Sequence, residues 1–290
     1  MSCDVVIVNY NAGALLAEGV ASLLTDPAAA CRIIVVDNGS SDDSLAQLPS
    51  DPRLSVIRNG ANLGFAAACN IGARAGSGDA VLFLNPDCRA APAAIDRLLT
   101  VLDSDDAVGM VGGLLLNPDG SEQEGARRNL PTLGSGLGRA LGIGALAKDP
   151  QSPLVDYSRR GDPLPDGPVE VEAISGALML VRRAVLDAIG GWDEGYFLHV
   201  EDLDLCMRVR QAGYRILFVP DVRVAHVKGA SSGRRVFVEW HKHRGMLRYY
   251  RKFLAAAHSP PVSAIVTAGV WIRFAGLASL LAARRLVGRG

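Results

Sequence analysis

Acidic residues stand at three places in this chain where carboxylates do chemistry. Asp37 opens Asp37-Asn38-Gly39-Ser40-Ser41-Asp42, Asp87 closes Asn85-Pro86-Asp87, and Glu201 and Asp202 stand at the head of a helical pattern. A carboxylate so placed can hold a hard cation or take up a proton. It can also merely close a turn, cap a helix or complement a helix dipole. Each acid alone admits the plainer reading. Their occurrence together, in this order along one chain, favours a site.

Positioning them falls to a repeated unit. Val5–Val8 ends in Asn9-Tyr10-Asn11, Ile33–Val36 runs into Asp37, and Val81–Leu84 runs into Asn85. Four β-formers closed by polar turn residues predict a buried parallel strand with a loop at its C-terminal end. Helix-compatible stretches at Ala14–Leu24, Ser44–Leu48 and Ala66–Ala75 accompany them. This β-α-β-α-β order predicts a parallel sheet with right-handed crossovers. Ligands bind such sheets at the carboxyl ends of the strands, so the polar residues that follow the strands share one rim.

Further strands are expected over Val108–Leu116, Ala173–Arg182, Ile216–Val219 and Val222–Val227. A helix is expected over Ala184–Ile189, stopped by Gly190-Gly191, and another from about Glu201 to Ala212, capped by Gly213. Residues 120–170, rich in Gly, Pro and Arg, predict a long loop over the site. Gly142, Gly144 and Ala147 match G-x-G-x-x-A there, but no strand precedes them, which argues against a dinucleotide fingerprint.

Composition narrows the class. With 49% hydrophobic and 21% charged residues the chain is globular rather than disordered, and its 32 glycines follow no G-X-Y period. Five scattered cysteines, none in C-x-x-C, argue against a disulfide framework or a zinc-thiolate site and for a reducing compartment. The start, MSCDVVIVNYNAG, lacks a basic region and carries Asp4, unlike a secretory signal. The net charge of zero hides an asymmetry: residues 1–221 carry −12 and residues 222–290 carry +12. That basic stretch interleaves Arg234, Arg235, Lys242, Arg244, Arg248, Arg251 and Lys252 with Phe237, Trp240, Tyr249, Tyr250 and Phe253, which suits an anionic lipid interface. No nucleic-acid recognition motif accompanies it. Residues 262–283 are apolar except for Ser263, Thr267, Arg273 and Ser279. Arg273 argues against a clean span; an in-plane membrane helix is favoured, then a buried or oligomeric helix, and last a span.

The succession VVIVNYN, VVDNGSSDDS, NLGFAAACNIG, LFLNPDC, SGALMLVRR and GGWDEGYFLHVEDLDLCMRVRQAG resembles family 2 glycosyltransferases. Within them it is most similar to the bacterial rhamnosyltransferase-type enzymes of cell-surface polysaccharide synthesis. The resemblance covers about residues 3–255. It implies an α/β, GT-A-type nucleotide-diphospho-sugar transferase fold with a mostly parallel central sheet. A transferase domain would span 1–230, with a donor half of about 1–118 and an acceptor half of about 170–230. Residues 231–290 would form a helical, membrane-associating tail.

The resemblance also implies roles. Asn9, Asp37, Asn62, Asn70, Asn85 and Asp87 fall at nucleotide-sugar positions, with Asp37 toward the base. Many relatives have Arg where this chain has Cys69, which leaves that side of the base pocket open. The D-x-D motif falls at Asn85-Pro86-Asp87, so Asp87 is the expected contact to Mg²⁺ or Mn²⁺. His226, 24 residues after Asp202, is a second candidate ligand or else a satisfied structural histidine. Asp202 matches the general base, with Glu201 and Asp204 able to raise its basicity. Trp192 and Asp193 would shape the acceptor pocket; core packing is the alternative for Trp192. The implied function is inverting, metal-dependent sugar transfer, with dTDP-L-rhamnose as donor and a saccharide acceptor, lipid-linked, on the cytoplasmic membrane face. A UDP-sugar donor, or a nucleotide-sugar-binding protein without transfer activity, is the alternative.

Overall fold

The computed structural model describes residues 1–25, 31–90, 93–140, 158–227 and 235–287, without side-chain detail at 137–140 and 284–287. Two compact units form: one draws on residues within 1–130, 158–195 and 202–231, the other on residues within 131–157, 196–201 and 232–290.

In chain order the elements begin β1 (Cys3–Asn9), α1 (Ala14–Leu24), β2 (Arg32–Asp37), β3 (Leu54–Arg58), α2 (Phe65–Ala75), β4 (Ala80–Leu84) and β5 (Cys88–Ala90). Next come α3 (Ala94–Asp103), β6 (Val108–Leu116), β7 (Arg127–Arg128), α4 (Leu133–Ala140), β8 (Val169–Glu170) and β9 (Ala173–Ile174). The remainder is β10 (Leu178–Arg182), α5 (Arg183–Ala188), α6 (Glu201–Gln211), β11 (Arg215–His226), α7 (Arg235–Tyr249) and α8 (Pro260–Val287).

The first unit is built on a nine-stranded sheet of order β3-β2-β1-β4-β10-β6-β11-β5, with β8 also on β11. β1 to β4, β6 and β11 run in one direction, and β10 runs against its neighbours β4 and β6. Every residue of β1 and β4 is buried, as continuous apolar runs covered on both faces require. Gly72 of α2 permits close packing, since a Cβ there would lie 2.4 Å from Val6 Cγ1. Asn9, Asp37 and His226 end β1, β2 and β11, and Asn85 follows β4, so all four stand at one rim.

Several expectations need correction. Ser44–Leu48 is a 3-10 turn over Ser44–Gln47, and Asp42 accepts from the Ser44 hydroxyl at 2.6 Å. The strand expected over Ala173–Arg182 breaks into β9 and β10 at a turn closed by Leu178 N–H on Ser175 O. Ile216–Val219 and Val222–Val227 are one strand, β11, whose register against β6 shifts between Val219 and Arg223, where Pro220 has no N–H to give. Within the stretch read as a loop, β7 pairs with β9 and α4 forms. Gly142, Gly144 and Ala147, like Arg234, lie outside the described residues. β3, β5 and α3 were not expected.

In the second unit, α7 and α8 pack through Trp240 against Trp271 and Phe274, at ring-centroid distances of 4.8 and 5.4 Å. Tyr250 Oη and Ser263 Oγ lie 3.0 Å apart. The lone charge in the apolar stretch, Arg273, reaches to 3.4 Å from Nε2 of the buried His243. Pro260–Ala283 is long and apolar enough to cross a membrane, by length and composition. Ile265, Ile272 and Leu280 of this helix are exposed, the first two by more than 70%.

Candidate active site

The end of β1 is tied to the loop after β2. Asn9 Nδ2 lies 2.9 Å from Asp37 Oδ1, 3.0 Å from Ser40 Oγ and 2.8 Å from Ser44 Oγ. Asp37 Oδ2 accepts from Ser40 N–H, and Asp37 is 4% exposed. Beside it Asn38 braces the neighbouring loop. Its amide donates to Asn62 Oδ1 and Gly64 O, and its Oδ1 accepts from Asn59 Nδ2 and Leu63 N–H. Asn62 therefore joins the Asp37 loop through Asn38. Asn70 goes elsewhere: its amide donates to Trp192 O and Glu194 Oε1, and its Oδ1 accepts from Trp192 N–H. In this conformation both ends of that side chain hold the Trp192–Glu194 turn.

A second group forms where β4 and β11 end and β5 begins. His226 Nε2 lies 3.1 Å from Asp87 Oδ1 and 3.3 Å from Asn85 Nδ2. Asp87, Cys88 and His226 offer ligand atoms within 4.8 Å of one another, all buried. Burial, with Asp87 alongside, pushes the Cys88 thiol well above its ordinary range, so it stays protonated. An oxygen from Asp87 and a nitrogen from His226 suit Mg²⁺ or Mn²⁺. The donor set present thus fits a hard divalent cation.

Asp202 opens the third group. Its Oδ2 accepts from Arg128 Nη2 at 2.5 Å and from Gly176 N–H at 3.3 Å, and its Oδ1 accepts from Leu203 N–H. Burial pushes this carboxyl up. The Arg128 guanidinium and the two backbone N–H groups outweigh that and hold it below its usual range. Gly176 allows the approach, since a Cβ there would lie 3.2 Å from Asp202 Cβ. The next residue, Ala177, accepts from Asn85 N–H at 3.0 Å. One turn, Gly176–Ala177, therefore touches Asp202 on one side and the Asn85 end of the Asp87–His226 group on the other.

Trp192 is 2% exposed and edge-on to Phe65 and Phe83, so its ring packs in the core and offers no open face. Asp193 accepts from Gly195 N–H in the following turn. Glu201 is buried at the first position of α6. Immediately before it, His199 and Val200 hold φ of 66° and 75°, a conformation that costs a β-branched residue roughly 1–3 kcal/mol. Gly245 of α7 leaves room for that turn: a Cβ there would lie 3.0 Å from His199 O.

Sequence reasoning missed Arg128, Gln123, Gly176 and Asn38 as members of these groups. Asn38 and Gly176 carried a signal, since each stands beside a singled-out motif. Arg128 and Gln123 lie in the Gly- and Pro-rich stretch, where no periodicity marks a position.

A model of "Glycosyl transferase family 2" matches residues 4–161, and one of "Glycosyltransferase like family 2" matches residues 164–245. The chain is 33% identical over 242 residues to an N-acetylglucosaminyl-diphospho-decaprenol L-rhamnosyltransferase of Mycobacterium tuberculosis, covering 79% of this chain and 77% of that one. It is 24% identical over 227 residues to the dTDP-rhamnosyl transferase RfbF of Shigella flexneri, covering 76% and 68%. Among solved structures, GalNAc-T7 with UDP, GalNAc and Mn²⁺ superposes with a TM-score of 0.61 at 19% identity, over 87% of this chain and 48% of that one. That likeness is one of fold, the GT-A fold. The motif succession, the rim of polar strand ends and the matched models agree: the chain belongs to glycosyltransferase family 2, as a rhamnosyltransferase-like member on a GT-A fold.

Proposed function

We propose that the protein is an inverting, cation-dependent transferase that moves L-rhamnose from dTDP-L-rhamnose to a polyprenyl-diphosphate-linked saccharide. The observation that carries the reading is the Gly176–Ala177 turn, which links a carboxylate–histidine pair to a separate ionised carboxylate. Inversion needs two such groups, one for the leaving diphosphate and one for the acceptor hydroxyl. Asp87 and His226 would hold Mg²⁺ or Mn²⁺, which when bound neutralises charge on the leaving diphosphate. Asp37 would accept from the base N–H, with Asn9 and Asn62 completing that loop. Asp202 would take the acceptor hydroxyl proton, with Arg128 and Gly176 N–H keeping its carboxylate ionised and oriented. Glu201 precedes this base, and Asp193 lies in the turn assigned to the acceptor side. The rhamnosyl donor and the lipid-linked acceptor are supported by the relatives' names, and the cation by the donor set of Asp87 and His226.

Nucleotide release over a panel of dTDP- and UDP-sugars with Mn²⁺, against a polyprenyl-diphosphate-linked N-acetylglucosamine acceptor, tests the donor. dTDP-L-rhamnose should turn over fastest. Faster turnover of a UDP-hexose would replace the donor. Binding of a nucleotide sugar without turnover for every acceptor offered would favour a binding protein.

We also propose a peripheral site of action on the cytoplasmic membrane face. The exposed apolar face of α8 and the exposed Arg244, Arg248, Arg251 and Lys252 support it, because acidic headgroups complement such a surface. The full chain should sediment with anionic vesicles and be released by high salt, as charge screening requires. A chain ending near Phe253 should stay in the supernatant while still binding donor. Retention after both salt and carbonate washing would instead mark α8 as spanning.

A further inference from the structure

The side chain facing His226 Nδ1 is Gln123, a buried residue between β6 and β7. Its Nε2 lies 2.7 Å from the backbone carbonyl of His226. A carbonyl only accepts, so the amide nitrogen must face it. That leaves Gln123 Oε1 facing His226 Nδ1, at 2.8 Å. An amide oxygen also only accepts, so Nδ1 must carry the hydrogen. With that hydrogen on Nδ1, the uncharged form of the ring has its lone pair on Nε2, the atom 3.1 Å from Asp87 Oδ1. A lone pair and a carboxylate oxygen at that separation repel unless a positive charge is shared between them. Asn85 Nδ2, at 3.3 Å, has N–H groups to turn toward the lone pair but supplies no net charge.

We infer that Gln123 is the positioning residue of this site, holding His226 as its Nδ1–H tautomer so that Nε2 and Asp87 face one divalent cation together. The inference rests on the cation reading proposed above and goes beyond it by naming the group that fixes the ligand atom. Partners that donate to or accept from the far nitrogen of a metal-binding histidine are known to set its tautomer, and their loss typically lowers metal affinity about 10–100-fold. The backbone bond serves the same end, because it pins the Gln123 amide and leaves it no freedom to flip.

The test uses the full chain and Mn²⁺ alone, without nucleotide. Ring-nitrogen NMR shifts of the apo protein should show His226 with hydrogen on Nδ1; a ring with hydrogen on Nε2 and none on Nδ1 would overturn the inference whatever any variant does. By electron paramagnetic resonance titration, Gln123→Met, which keeps the volume but removes the amide, should weaken Mn²⁺ binding about 10–100-fold. His226→Ala should weaken it at least as much. The double variant should be no weaker than His226→Ala, because Gln123 acts only through that ring. Additive losses would mean that Gln123 is structural, and the inference would fail while the cation reading stood. Unchanged Mn²⁺ affinity in His226→Ala would remove the cation reading itself, and the inference with it. If Gln123→Met lowers the melting temperature too far to titrate, the wild-type ring-nitrogen shifts decide the matter alone.

Discussion

Asp87→Asn should abolish sugar transfer, by on the order of 10³-fold or more, while leaving the fold intact. The substitution keeps the shape of a side chain that is 8% exposed and removes one negative charge. The backbone of residue 87 is held independently, since its carbonyl accepts from Val227 N–H at 3.0 Å. The melting temperature should therefore move little. Of the proposed protein ligands, only His226 would remain, and a hard cation binds poorly to one imidazole. Mn²⁺ titration should flatten, and affinity for the nucleotide sugar should fall in Mn²⁺ to the level that wild type shows in EDTA. Full wild-type activity in EDTA would refute the cation's role. Asp87→Asn turnover above a tenth of wild type in Mn²⁺ would move the binding carboxylate elsewhere.

The half of the candidate site that lies on parallel strands is legible in the sequence. The runs around Val5–Val8, Ile33–Val36 and Val81–Leu84 are buried on both faces, so they contain no polar interruptions and end abruptly at the rim. Chemistry follows the interruption, and Asn9, Asp37, Asn85 and Asp87 are therefore marked by pattern alone. β3 is an edge strand with Ser55, Val56 and Arg58 exposed, so burial imposes no such pattern on it. α3 did carry a legible signal, with Ile95, Leu98, Val101 and Leu102 at helical spacing and all buried.

The other half of the site depends on side chains meeting across long stretches of chain. Gln123 meets His226 over 103 residues, Arg128 meets Asp202 over 74, and Asn70 meets Trp192 over 122. None of these contacts leaves a local trace, because each is made by one residue of an irregular segment or of a helix face. The same fact explains Trp192 and Asn70. Both lie in motifs that read as ligand-facing, yet they meet each other instead: Trp192 fills the core while Asn70, from α2, holds its backbone. A motif identifies which residues act together, and tertiary packing decides which of them faces solvent.

Asp202→Asn should cost about 10²–10⁴-fold in turnover, the usual effect of removing a general base. The amide keeps the side-chain shape and can still accept from Arg128 or Gly176, but it cannot take a proton. Donor affinity should barely change, because the residues proposed to bind the donor lie on other loops. Arg128 makes the assignment testable in a second way. Its guanidinium stabilises the ionised form of Asp202 against the upward push of burial. Arg128→Gln keeps a polar side chain at that place, but the charge is gone. Burial is then opposed only by the backbone N–H groups, so the Asp202 carboxyl should rise. The acid limb of the kcat/KM profile should therefore move to higher pH, with activity lost first on the acidic side and recovered as pH rises. A residue that merely braces β7 against α6 would lower the melting temperature without moving that limb. Near-wild-type turnover in Asp202→Asn would shift the base to Glu201 or Asp204. Asp204 is fully buried and bonded to Arg208 Nε at 2.5 Å, which already engages one of its carboxylate oxygens. Glu201→Gln would then be the variant that stops the reaction, and the acid limb would follow Glu201 rather than the carboxylate beside Arg128.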